Sequence, residues 1–218
     1  MEIIYKDKIF KILDTLPEAK IDTEIEVRNY VQCYDGHKTD DLGDVLVWLK
    51  KAKAAEIKAI DIETSSLKPY AVHGCILTVA ISFGPTNFSF ALNHPKAQWG
   101  TEAHGAIKAA LKSLLIDDTK KVAHNCPFEL EWFIKEFGKD IINQNAWECT
   151  MMQAHFLDER RGRQAHGGDD NRRATYQSLD FLCKQHFGIA YKNLFKLNKK
   201  DMINANLDET LIYNAVDT

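Results

Sequence analysis

The sequence predicts an α/β fold, a mixed central sheet flanked by helices, and three observations predict it. Strand-like runs crowd into residues 59–92, helix and strand signals then alternate as far as residue 137, and the remainder reads mostly as helix. An apolar content of 45% supplies a core large enough for one sizeable domain of 218 residues.

The elements follow in order. Glu24 to Tyr34 has a strand-like composition, and Asp35-Gly36-His37-Lys38 is a turn. Asp40 to Ala55 has helical spacing: Leu42, Val45, Leu46, Leu49 and Ala52 share one face, with lysines opposite. Ala59 to Ile62, Ile76 to Phe83 and Phe88 to Leu92 read as strands, and Gly84-Pro85-Thr86-Asn87 joins the last two as a hairpin. Glu102 to Leu115 is an amphipathic helix, and Lys121 to Ala123 a short buried strand. Pro127 opens another helix, where its missing N–H costs nothing, and Gly138 stops it. Trp147 to Leu157 and Tyr176 to Phe187 read as helices, the second ended by Gly188. Between them, residues 158–173 include Arg160, Arg161, Arg163, Arg172 and Arg173 and read as a mobile basic loop. Lys199 to Asn204 and Asp208 to Asp217 close the chain as helical segments.

Composition narrows the function. A net charge of −3 excludes a bulk positive field, so any nucleic-acid binding rests on a local patch, metals or hydrogen bonds. Cys33, Cys75, Cys126, Cys149 and Cys183 form no C-x-x-C pair, the pattern of reduced thiols in the cytoplasm. The first residues lack a signal-peptide core, and no run approaches the ~20 apolar residues of a membrane span. Residues 1–40 read as an N-terminal extension and 41–218 as the domain proper.

Three segments carry acids in settings that allow chemistry. Asp61 and Glu63 are i and i+2 on a strand and project to one face. Such a pair is either a solvated strand face or an anionic site that a divalent cation relieves. Asn125 and Glu129 lie at a strand-to-helix junction, where a helix N-terminus favours an anion. Tyr213 and Asp217 are i and i+4 on a helix and share a face. Hard carboxylate oxygens suit Mg²⁺ or Mn²⁺, and a phenol can orient water. Elsewhere, His124 reads as a strand-end histidine, Cys126 and Cys149 as packed thiols, and Phe128, Leu130 and Phe133 as core.

With those residues in view, the chain resembles the 3′-5′ proofreading exonuclease domain of family A, polymerase I-like, phage-type DNA polymerases. That is the tyrosine subgroup of the DEDD exonuclease superfamily. "DIET" (61–64) resembles the first exonuclease motif, "HNCPFELEWF" (124–133) the second and "YNAVDT" (213–218) the third, in the family's order. "WECTMMQAHFLDE" and "YQSLDFLCKQHFGI" resemble helices between the second and third.

The resemblance implies a ribonuclease H-like exonuclease fold and two-metal phosphodiester hydrolysis at a DNA 3′ end, with two Mg²⁺ ions that Mn²⁺ can replace. It makes Asp61, Glu63 and Asp217 direct metal ligands, Glu129 (where the family usually has Asp) a support for the second metal, and Tyr213 the residue that positions water. Thr64, Leu67, Asn125 and Tyr191 become substrate contacts, Leu67 by wedging the terminal base and Tyr191 by stacking. The implied partners are a single-stranded DNA 3′ end and a polymerase domain, of the same chain or a companion, since Asp217 is followed by Thr218 alone and the chain reads as a fragment. Two rival readings accompany this one: a catalytically weakened module that binds single strands or a polymerase, and a ribonuclease D-like RNA 3′ exonuclease.

Overall fold

The computed structural model describes residues 26–29, 39–84, 86–97, 99–143, 147–157, 177–187 and 197–218. The basic loop 158–173, Gly188 and Tyr191 lie outside them. Among the described residues six strands make one mixed sheet: β1 (Glu26–Asn29), β2 (Ile57–Thr64), β3 (Ile76–Phe83), β4 (Thr86–Ala91), β5 (Lys120–Ala123) and β6 (Trp147–Cys149), in the order β1-β4-β3-β2-β5-β6. β2, β3 and β4 are antiparallel neighbours, whereas β5 and β6 extend the sheet in parallel beyond β2, and β1 pairs in parallel with β4 at the opposite edge. The helices are α1 (Thr39–Ala54), α2 (Thr101–Leu115), α3 (Pro127–Phe137), α4 (Thr150–Leu157), α5 (Leu179–Phe187) and α6 (Leu207–Val216). The fold is the expected α/β ribonuclease H-like one.

The strand period sorts side chains between two faces. Ile60 and Ile62 of β2, Val79 and Ile81 of β3, and Phe88 and Phe90 of β4 share the main core with Val45, Leu49 and Ala52 of α1, Ile107, Leu111 and Leu114 of α2, and Trp132 and Phe133 of α3. Phe88 is central to it, stacked on Phe90 at 6.0 Å and packed on Trp48 at 6.1 Å. Replacing such a ring with alanine costs about 3–5 kcal/mol. The opposite face of the same strands is small and polar: Thr78 and Ala80 on β3, Ser89 and Ala91 on β4. Those short side chains let α6 lie close, with Leu207 and Leu211 packed on Ala91 and the Ser89 hydroxyl donating to the Leu211 carbonyl at 2.7 Å. The acids of β2 therefore emerge beneath α6.

At the far end of β2 the ammonium groups of Lys58 and Lys121, both fully buried, converge on Asp117, at 3.4 and 2.6 Å. This clasp joins the starts of two neighbouring strands, and removing the shared carboxylate would leave two buried cations unpaired, a cost of about 3–5 kcal/mol.

Several boundaries differ from expectation for identifiable reasons. Thr86 and Asn87 belong to β4, because Phe83 pairs with Thr86 and leaves a two-residue connection that starts at Gly84, whose φ is +54°. Trp147–Cys149 is a strand and not the first turn of a helix. It pairs with Lys121–Ala123, Lys120 and Glu148 form an ion pair at 2.6 Å, and Trp147 packs on Phe133. The segment 199–204 is helical only as a 3-10 turn over Met202–Asn204. α5 begins at Leu179, where the Ser178 hydroxyl accepts from Phe181 N–H at 3.3 Å.

Candidate metal centre

β2 delivers Asp61 and Glu63 to one face, as their spacing requires, and the C-cap of α6 delivers Asp217. Carboxylate oxygens of these three residues lie within 4.8 Å of one another. Burial pushes the Asp61 carboxyl well above the ordinary carboxylate range, and the charges of Asp217, Glu63 and Glu129 push it further. Asp217 also sits at the carbonyl end of α6, where the helix dipole disfavours an anion. Packing thus holds the acids together against their own repulsion, and the donor set, hard oxygens only, is one that fits Mg²⁺ or Mn²⁺.

Glu129 stands just outside the trio, in the first turn of α3. It is 3% exposed, and its Oε2 has no hydrogen-bond partner. Burial pushes its carboxyl up to about 8, opposed by a hydrogen bond from its own backbone N–H and reinforced by the charge of Glu63. An orphaned, buried carboxylate oxygen beside three crowded acids is what a site built to take a cation and its hydration shell leaves behind when only side chains are counted. Neighbouring Cys126 is a packed thiol, its pKa pushed up to about 12 by burial and then by Glu129.

Tyr213 is 1% exposed, one turn before Asp217 on α6. Burial, Asp217 and the other two acids hold its phenol protonated far above the usual range. The hydroxyl is engaged on both sides, bonded to Asp217 and accepting from Lys199 Nζ, which lies 4.4 Å from the ring centroid.

The residues expected to meet substrate are less uniform. Leu67 is 85% exposed on the loop after β2, free to meet a base. That loop is pinned to α3 by Lys135, whose Nζ donates to the carbonyls of Pro69, at 2.6 Å, and Gly74. Thr64 is buried and its hydroxyl donates to the Ser66 carbonyl at 2.7 Å, closing the turn that leads to Leu67. Asn125 is exposed in a left-handed conformation, φ +68°, at the junction between β5 and α3. Tyr191 lies outside the described residues. His124 is a satisfied strand-end histidine, its Nδ1 2.9 Å from the Thr150 hydroxyl.

A family model described as 3′-5′ exonuclease matches residues 37–218. The chain belongs to the 3′-5′ exonuclease family. No curated protein matches it. Among solved structures this exonuclease is similar to Escherichia coli RNase D, described as an exoribonuclease involved in structured RNA processing, at 15% identity and a TM-score of 0.54, over 83% of this chain and 40% of that one. It is also similar to Trypanosoma brucei RNase D in complex with RNA U12 (20%, TM-score 0.50, 82% of this chain and 56% of that one) and to Brucella melitensis NrnC bound to pGG (20%, TM-score 0.50, 77% and 68%). These likenesses show the fold. The exonuclease spans less than half the length of the E. coli protein. None of its described helices is long and apolar enough to cross a membrane.

Three residues of the exonuclease site were not singled out from sequence. Asn214 donates to Asp61, Thr78 donates to Asn214, and Lys199 donates to Tyr213. Thr78 gave a faint signal as a hydroxyl inside the apolar run ILTVAISF, and Asn214 as a polar residue in a buried helical turn. Lys199, in a lysine-rich turn, gave none.

Proposed function

We propose that this exonuclease removes nucleotides one at a time from the 3′ end of single-stranded or frayed DNA, acting as the proofreading activity of a DNA polymerase whose polymerase domain lies in the same or a companion chain. We place it in the cytoplasm, with residues 41–218 as the exonuclease domain and 1–40 as an extension. The observation that carries the reading is the trio of carboxylates from two distant elements within 4.8 Å, Asp61 and Glu63 from the first of the motifs and Asp217 from the third.

In this reading Asp61, Glu63 and Asp217 hold divalent metal, Mg²⁺ or Mn²⁺, in two positions, and Glu129 supports the second through water. Bound there, the cations supply Lewis acidity to the terminal phosphate and its leaving oxygen. Tyr213, kept protonated, orients the attacking water by hydrogen bonding and takes no proton in the step. Water adds to the terminal phosphorus, the bond to the 3′-oxygen of the preceding nucleotide breaks, and a nucleoside 5′-monophosphate leaves. Leu67 packs on the terminal base, and Thr64 holds the turn that presents it; Asn125 and Tyr191 contact the strand. A mispaired terminus frays at less cost than a paired one, so a site that admits only single strands selects errors.

The test is degradation of end-labelled matched and mismatched DNA primers, and of an RNA of the same sequence, with Mg²⁺, Mn²⁺ or EDTA. Asp61→Ala is expected to lose at least about 100-fold of activity, roughly 2.7 kcal/mol of barrier. Undiminished degradation by that variant would overturn the assignment. An RNA-only substrate range would favour a second reading, a 3′ exoribonuclease, which the RNA-bound Trypanosoma brucei neighbour of similar fold supports. Strand binding in Mg²⁺ without nucleotide release would favour a non-catalytic module.

A further inference from the structure

The loop after β2 is closed by its own hydrogen bonds and yet shows its apolar side chains to solvent. Its ends meet where Ser65 N–H donates to the Cys75 carbonyl at 3.0 Å and Cys75 N–H donates to the Ser65 hydroxyl at 2.9 Å. Inside it, Ala71 N–H and the Ser66 hydroxyl donate to the Lys68 carbonyl, and Gly74 N–H donates to the Ala71 carbonyl. Gly74 has no room for a side chain: a Cβ there would stand 2.7 Å from the Pro69 carbonyl oxygen and 3.1 Å from that of Ala71. With Lys135 holding the carbonyls of Pro69 and Gly74 from α3, residues 65–75 form a braced Ω-loop. Leu67, Tyr70 and Val72 on it are nonetheless 85%, 77% and 85% exposed. A backbone fixed so fully, with three large apolar side chains left in water, fits a contact surface organised before its ligand arrives.

The chemistry of the loop names the ligand. Residues 64–75 carry Lys68 and no carboxylate, in a chain with 31 acids, so the loop is one of the few places where a polyanion meets no opposing charge from its own segment. Tyr70 lines a groove of about 530 Å³ between the loop and α3, with Lys68 on the same side and Glu131 and Ile134 on the other. A flat base can enter such a groove and lie on the ring. Glu131 repels a phosphate and can accept from a base's exocyclic amine, so the base goes in and its phosphate stays on the Lys68 side. Building on the strand-binding reading above, in which Leu67 packs on the terminal base, we propose that this loop is a second subsite for the same strand, where Tyr70 stacks a base on the 5′ side of the terminal nucleotide and Lys68 meets its phosphate. Leu67 and Tyr70 are three residues apart, at most about 11 Å of backbone, so the stacked base lies within about three nucleotide steps of roughly 3.4 Å each. Filling both positions requires that length of strand to be unpaired, which extends the demand for fraying beyond the terminal pair.

The experiment is fluorescence anisotropy of a 5′-labelled eight-nucleotide DNA titrated with the full chain carrying Asp61→Asn, in Mg²⁺, so that the strand is bound and not degraded. Adding Tyr70→Ala to this parent is expected to weaken binding about 5–100-fold, the range of alanine substitutions at base-stacking aromatics. Ile57→Ala, an exposed apolar position at the opposite end of β2, should leave it unchanged. Strands lacking a single base at the second, third or fourth position from the 3′ end locate the contact: one of them should weaken the parent by a similar factor and leave Tyr70→Ala indifferent. Gly74→Ala, which adds no charge, should weaken binding several-fold by displacing the loop. Binding by Tyr70→Ala within twofold of the parent overturns the proposal, and so do base-removal losses that simply add to the loss from Tyr70→Ala. Unchanged strand binding in Tyr70→Ala together with altered sedimentation of the protein alone would make the loop an interface between copies, which overturns it as well. A folded parent that binds no single strand refutes the strand reading itself, whereas a parent that binds confines any failure to the loop.

Discussion

The crowding of Asp61 predicts that removing its charge makes the metal-free protein more stable while abolishing its activity. Asp61→Asn keeps the side chain's shape, still accepts from Asn214 Nδ2, and turns an amide toward Glu63 and Asp217. Two unit charges 4.8 Å apart repel by about 3.5 kcal/mol at an effective dielectric of 20, and Asp61 faces two of them. The raised Asp61 pKa relieves part of this in wild type, and salt screens more, so the expected gain is about 1–3 kcal/mol at pH 8. The sign follows from linkage. A carboxyl whose folded pKa is raised contributes stability below its unfolded pKa and loses it as pH rises through the folded value. The gap between variant and wild type therefore widens from pH 5 to pH 8.

Urea unfolding in EDTA at those pH values, at constant ionic strength, measures the gap. Magnesium then inverts the order: at a concentration about 100-fold above its Kd, binding stabilises wild type by roughly 2.7 kcal/mol and leaves Asp61→Asn behind. A variant no more stable than wild type in EDTA at pH 8 would falsify the account of the site as an electrostatically strained cation cage.

Three further outcomes follow from the same geometry. Lys199→Met keeps a stem against the Tyr213 ring but removes the donor to its hydroxyl, and should lower kcat about 3–10-fold with KM little changed, since one neutral-acceptor hydrogen bond of about 1 kcal/mol is lost; an unaltered kcat in steady-state assays contradicts the role. Glu129→Gln replaces a buried acid whose pKa is about 8, so it should stabilise the EDTA-treated protein above pH 8 and be near neutral at pH 5, while cutting exonuclease rate at least tenfold; a Tm profile parallel to wild type across that range opposes it. His94 is buried with Nε2 unpartnered, and burial with the Lys96 charge pulls its pKa down to about 4. It is held neutral, so stability is full above pH 6.5 and falls toward pH 4 by up to about 1.4 kcal/mol per unit, a slope that His94→Gln should flatten in acid-denaturation curves.

The parts of the site that local rules govern were legible in the chain. The period of a strand puts Asp61 and Glu63 on one face while Ile60 and Ile62 face the core, and helical spacing stacks Tyr213 over Asp217. Pro127 and Gly138 bound α3 as their backbone chemistry requires. What failed was non-local. Trp147–Cys149 is three residues long, too short to show alternation, and is a strand only because β5 offers it an edge. The relay from Thr78 through Asn214 to Asp61 spans sequence separations of 136 and 153 residues, and no spacing rule reaches that far. Glu129 was visible as an acid at a helix N-terminus, yet its near-complete burial depends on how α3 seats against the sheet.

The two helices that serve the site bring their acids with opposite electrostatic prospects. Glu129 enters at the N-terminal end of α3, where the backbone dipole favours a carboxylate, and Asp217 enters at the C-terminal end of α6, where it does not. If the acids were a solvated strand face, a frayed last turn would swing Asp217 into water. It stays because α6 is buried along nearly its whole length, from Leu207 through Ala215, on a sheet face of Thr78, Ala80, Ser89 and Ala91 small enough to receive it. The apolar and hydrogen-bonded contacts of that helix thus supply the free energy that keeps a third anion beside two others. That is a cost with no structural return in a bare protein, and a cation held in the space the three carboxylates enclose would offset it.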